Sequence, residues 1–144
     1  MRPRPYLRAY MAGIMVPTIV LLLIMGIDTY HRFYLEVPSQ FVFGLPAKPL
    51  ERTILFPMAV VPNLWGLWNV LWVATKGRTH LSIGAHGSLL VAMIVPAGIL
   101  LARTTELFYI QMGYALLAIP VGMAMYYLAW KFLVGSLNAE VGVA

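Results

Sequence analysis

The chain has 144 residues, of which 61% are hydrophobic and 10% charged, with no cysteine and a formal net charge of +5. Soluble domains carry about 25% charged residues, and a water-soluble fold of this length cannot hide so much apolar surface, so the composition predicts lipid as the solvent. The lack of cysteine excludes disulfides, thiol chemistry and cysteine-bound iron–sulfur clusters.

In chain order, Arg2, Arg4 and Arg8 precede an apolar run from Ala9 to Ile27. This resembles the start of a signal peptide, but Gly26-Ile27-Asp28-Thr29-Tyr30-His31 offers no small-x-small cleavage site, which predicts an uncleaved signal anchor and a first span at 9–27. Further spans are predicted at 54–75, 81–102 and 107–127. Lys76-Gly77-Arg78-Thr79-His80 joins the second to the third, and Arg103-Thr104-Thr105-Glu106 joins the third to the fourth; links this short force antiparallel neighbours. The expected fold is an all-α integral membrane protein: a single domain over 1–144 with four transmembrane helices in two antiparallel hairpins. No length remains for a separate soluble domain.

The connection from Asp28 to Thr53 is the only long one. Phe33-Tyr34-Leu35 and Phe41-Val42-Phe43-Gly44-Leu45 are apolar clusters, broken by Pro38, Pro46 and Pro49. Proline interrupts a continuous helix, so residues 33–49 are expected to lie ordered against the outer membrane surface or another protein.

Orientation follows from the basic residues. Arg2, Arg4, Arg8, Lys76, Arg78 and Lys131 collect on one side, while Arg32, Lys48, Arg52 and Arg103 collect on the other, near Asp28, Glu36, Glu51 and Glu106. The positive-inside rule places both chain ends in the cytoplasm, in a bacterial cytoplasmic (inner) membrane. The net positive charge is thereby explained at helix ends, and no nucleic-acid partner is expected. Tyr30, Phe33, Tyr34, Phe108 and Tyr109 suit the outer interface; Trp72, Tyr126, Tyr127 and Trp130 suit the inner one.

Every span holds proline: Pro17, Pro57 with Pro62, Pro96 and Pro120. Each frees a carbonyl about one turn back, which must find a partner in protein or a polar cavity. Met15-Val16-Pro17 echoes Ile94-Val95-Pro96, a match that apolar sequence also produces by chance.

No Asp or Glu lies deep in a span, which argues against a buried-carboxylate antiporter and against paired-carboxylate catalysis. No phosphate loop, zinc-protease helix or nucleophile elbow appears, so no catalytic residue and no metal ligand is assigned. Asp28, His31 and Arg32 share a helix face at the outer rim, with Glu36 near, but define no metal geometry.

The polar side chains of the spans concentrate in Pro62-Asn63-Leu64-Trp65-Gly66-Leu67-Trp68-Asn69-Val70-Leu71-Trp72. Trp65, Gly66, Asn69 and Trp72 fall on one face. This face either binds a hydrophobic or ring-shaped ligand, or its amides bond neighbouring helices while its indoles pack. His86 sits in Gly84-Ala85-His86-Gly87-Ser88, where small residues admit either a flat macrocycle to an axial histidine, as in a tetrapyrrole protein, or a closely packed helix. Asn69 and His86 lie at equal depth, about 9 Å from the ends of their spans, so they are expected to approach each other between the second and third spans, where they can hydrogen-bond. The ligand-site candidates are Asn63, Trp65, Asn69, Trp72 and His86.

Three functions remain open. An accessory or structural subunit of a larger membrane complex accounts for the small size, the lack of catalytic groups and the small-residue pairs Gly84–Ser88, Gly98–Ala102 and Ala118–Gly122, which suit other membrane subunits or self-association. A binding protein or transporter for a lipid, quinone or tetrapyrrole would use Trp65, Asn69 and His86. An intramembrane redox protein or enzyme would use His86 or the Asp28–His31 rim.

Overall fold

The computed structural model describes residues 5–34, 41–42, 45–105 and 112–143. They form α1 (Pro5–Tyr34), a two-residue antiparallel pair β1 (Phe41–Val42) and β2 (Leu45–Pro46), then α2 (Ala47–Thr75), α3 (Ile83–Thr105) and α4 (Met112–Leu128). A π-helical stretch (Ala129–Val134) and α5 (Gly135–Glu140) complete the chain order. The protein is all-α in class. Among the described residues one stretch, Pro5–Ile27, is long and apolar enough to cross a membrane, and Ile83–Ala97 is a shorter apolar helix.

The helices outrun the apolar segments. α1 continues past Ile27 to Tyr34, and α2 starts at Ala47 rather than at Ile54. Apolar character ends where the side chains change, but backbone hydrogen bonding continues while the torsions remain helical. Pro17, Pro96 and Pro120 all lie inside helices. Pro17 is buried, whereas Pro96 and Pro120 are exposed.

α1 packs along α2, and α3 along α4. The pairing is antiparallel in both. Asn69 meets Ala9, while Gly66 lies against Gly13. Gly84 faces Tyr127, while Val91 faces Gly122. α2 and α3 touch mainly near their short link, where the Trp68 indole donates to the His86 carbonyl at 2.8 Å. Ser82 opens α3, its Oγ accepting from the Ala85 N–H at 3.2 Å as an N-cap.

The α1–α2 approach depends on glycine. A Cβ at Gly13 would stand 2.7 Å from the Trp65 carbonyl oxygen and 2.9 Å from Gly66 Cα. Backbone cannot yield as a flexible side chain does, so only glycine permits this spacing. The core gathers Val16, Trp65, Leu90, Trp130 and Val134, with Val61, Trp68, Ile83 and Tyr126 against it. Outside it, α1 exposes Met11, Met15, Ile19, Leu22 and Leu23.

The fourth helix does not stop at Tyr127. Leu128 and Gly135, on either side of the π-helical stretch, both have right-handed helical torsions, and the Gly135 N–H bonds the Trp130 carbonyl. One rod therefore runs from α4 into α5. It ends on a Schellman motif: Gly142 has φ +70°, the Val143 N–H donates to Asn138 at 2.9 Å, and the Gly142 N–H donates to Ala139 at 3.0 Å.

Candidate functional site

Asn69 and Asn138 form the polar centre. Both are fully buried. Asn69 Nδ2 donates to Asn138 Oδ1 at 2.7 Å, and Asn138 Nδ2 donates back to Asn69 Oδ1 at 2.9 Å. The second Asn69 N–H reaches the Ala9 carbonyl at 2.7 Å. The glycine contact between α1 and α2 brings that carbonyl within reach. A reciprocal amide pair satisfies donor and acceptor together, which is the condition for burying them without a large desolvation cost. Three segments distant in sequence are joined here: α1, α2 and α5.

One turn along α2 from Asn69, Trp65 belongs to an aromatic cluster. The Trp65 ring meets Tyr126 edge-on at 4.8 Å and Trp130 at 5.4 Å. His86 lies 4.9 Å from the Trp68 ring and 6.2 Å from the Trp130 ring. Trp130 rests on Gly87, where a Cβ would fall 2.2 Å from its ring. Nearby, Ser88 Oγ donates to the Met123 carbonyl at 3.0 Å, and the Tyr127 ring covers Gly84. The small residues about His86 are thus filled by the chain's own aromatic side chains and backbone. Of the two readings of the small residues about His86, the close packing is what the chain displays, with Trp130 on Gly87 and Tyr127 on Gly84.

Asn69 and His86 are both buried between helices, as expected, but the Asn69 amide bonds Ala9 and Asn138, and it is Trp68 that bonds the His86 carbonyl. Equal depth was the right measure along the helix axis, but helix rotation turns Asn69 toward α1 and α5. His86 instead lies between Trp68 and Trp130, its ring tilted 41° and 49° to theirs. Of the remaining ligand-site candidates, Trp65 joins the cluster, while Trp72 is half-buried beneath Lys76, whose Nζ lies 5.6 Å from the ring centre. Asn63 stands apart: it is exposed, and its Oδ1 accepts from the Tyr10 hydroxyl.

Sequence reasoning missed Asn138 and gave Trp130 an interfacial role. A signal was present: Tyr126, Trp130, Val134 and Asn138 recur every four residues, continuing one helix face past the apolar run. Arg8 and Lys76, read as topology signals, also have structural partners. Arg8 Nη1 donates to the Val141 carbonyl at 3.1 Å, and Lys76 Nζ donates to the Val143 carbonyl at 2.8 Å. Cations suit these positions because helix C-termini present unpaired carbonyls.

Buried His86 Nδ1, Trp72 Nε1 and Trp130 Nε1 have no hydrogen-bond partner. Among the described residues, no group of three or more His, Asp or Glu is placed to hold a metal ion. The side chains of Asp28, His31, Arg32, Gly98, Ala102, Arg103 and Ala118, together with Glu36 and Glu106, lie outside what is described, as does most of the connection 35–49. Comparison of the chain with protein-family models, curated proteins and solved structures finds no match.

Proposed function

We propose that the chain is a four-span protein of the cytoplasmic membrane that serves as an accessory or structural subunit of a larger membrane complex. The observation that carries this reading is how the polar and aromatic side chains of the interior are used. Asn69, Asn138, Ser88 and Trp68 are bonded within the chain, and Gly84 and Gly87 are filled by Tyr127 and Trp130. Groups committed to holding helices together are the signature of a scaffold, since helices in lipid gain no hydrophobic drive toward one another and associate through packing and hydrogen bonds.

The apolar outward face of α1 supports a lipid or subunit environment. The most apolar 18-residue window of the Pro5–Ile27 stretch is only 17% buried, and so wide an apolar surface is costly in water. At about 1.5 Å per residue the 30 residues of α1 reach about 45 Å, which exceeds the roughly 30 Å hydrocarbon core of a bilayer. Arg8, Lys76 and α5 converge at one end, and the positive-inside rule assigns that end to the cytoplasm. Gentle solubilisation from native membrane, followed by sedimentation and identification of co-migrating chains, tests the reading. Other subunits, or copies of the chain, are expected in the particle. A bare 16.0 kDa chain in detergent across a wide concentration range would sink it.

A second reading is favoured by the unpartnered His86 Nδ1 and Trp130 Nε1. Unpartnered polar atoms among indoles fit a small hydrophobic or ring-shaped ligand, a lipid, quinone or tetrapyrrole. Organic extraction of the purified protein tests it, with a stoichiometric lipid, quinone or tetrapyrrole as the supporting result and none as the opposing one.

A further inference from the structure

We propose that residues 135–143 form a strap that closes the basic end of the bundle and opens as a unit while α1 to α4 remain folded. The strap continues the rod of α4, lays Leu137 against the core, and is fastened across the bundle by discrete polar contacts. Asn138 pairs with Asn69, Arg8 holds the Val141 carbonyl, and Lys76 holds the Val143 carbonyl. Val143 is seated against the bundle at 5% exposure. Its shape is set locally by the Schellman turn at Gly142, so it moves as one piece.

Its upstream boundary is mechanical. Trp130 and Val134 are fully buried and anchor the rod to the core. Both anchors belong to the π-helical stretch, and Gly135 follows it directly, ahead of Asn138. A π turn is a rare helical geometry that often marks functional segments, and glycine adds conformational freedom at its exit. The chain can therefore bend after Val134 without withdrawing Trp130 from Gly87.

The bonds broken on opening are replaced by bonds to water, so their net contribution to closure is modest. Local opening of this kind spans free energies from near zero up to that of global unfolding. The open form presents the Asn69 amide and the Ala9 carbonyl at the basic end and leaves Arg8 and Lys76 without their carbonyl partners.

The chain has no cysteine, so a single introduced thiol reports cleanly. In full-length protein in lipid nanodiscs, Val143→Cys and Ala9→Cys are treated with a water-soluble maleimide and compared with Ala139→Cys, whose parent residue is exposed. Both buried positions are expected to react at one common rate, well below that of Ala139→Cys. Asn138→Ala, and separately the double variant Arg8→Gln/Lys76→Gln, are expected to raise that rate about tenfold, with the helical circular-dichroism signal unchanged. Should Asn138→Ala fail to fold, the double variant carries the test. The strap fails if Val143→Cys reacts as fast as Ala139→Cys, if the two buried positions react at different rates, if the double variant changes nothing, or if labelling begins only when the whole bundle unfolds.

Discussion

At the scale of single residues, the Asn69–Asn138 pair has consequences that neither amide would have alone. Removing one partner leaves the other buried and unsatisfied, whereas removing both leaves two apolar side chains in contact. Asn69→Leu and Asn138→Leu are each expected to cost about 1–3 kcal/mol, with the double variant costing clearly less than the sum. Reversible unfolding in mixed micelles measures all three, and strict additivity would show that the pair is not coupled. Gly87 supplies a second case. Alanine is favoured over glycine inside a helix by about 1 kcal/mol, but here its Cβ would overlap the Trp130 ring at 2.2 Å. Overpacking costs about 1–3 kcal/mol, so overlap wins. Gly87→Ala is expected to destabilise the protein and shift its tryptophan emission; unchanged emission would place Trp130 elsewhere.

At the scale of elements, the rod from α4 to α5 is closed by Gly142 in a left-handed torsion at φ +70°. An L side chain there costs about 1–2 kcal/mol, so Gly142→Ala is expected to loosen the end of α5. Gly135, inside the rod, has φ −60° and no atom within 3.4 Å of an added Cβ other than the Trp130 carbonyl oxygen at that distance. Gly135→Ala is therefore expected to be neutral or to stabilise by up to about 1 kcal/mol. Amide hydrogen exchange at 136–143 compares the two, and an equal response in both variants would remove the role given to the Gly142 turn. Element type was legible in the sequence, because long apolar runs with short polar links leave little but helices. Element ends were less legible. Tyr34 and Ala47 end and begin helices that no hydropathy change marks, and the fourth span, predicted to end at residue 127, continues through Ala129–Val134 into Gly135–Glu140.

At the scale of the whole molecule, α1, α2 and the strap meet at one end through Arg8, Asn69 and Lys76. The proposed topology puts this end in the cytoplasm. A reporter joined after Ala144 is expected to be active only in its cytoplasmic form; activity only outside would invert every span. In that topology the convergence ties orientation to stability, since Arg8 and Lys76 also bond the carbonyls of Val141 and Val143. Neutralising Arg8 and Lys76 is then expected to affect both insertion and the closed end, a joint effect that basic residues acting through topology alone would not produce.

Composition along the chain determined the helical class, the approximate place of each long helix and the burial of Trp65, Asn69 and His86. These follow because an apolar helix imposes its environment on whatever polar residue it contains. The partner of each polar residue was decided only by the tertiary structure. Hydropathy is a property of position along the chain, whereas a hydrogen bond depends on how far each helix is rotated about its axis and how closely its neighbour approaches. The Gly13–Gly66 contact fixes that approach for α1 and α2, and the turn at Ala129–Val134 accompanies the rotation that brings Asn138 onto Asn69. Neither rotation nor spacing is written in the order of apolar and polar residues, so depth placed Asn69 beside His86 while packing gave it to Asn138 and Ala9.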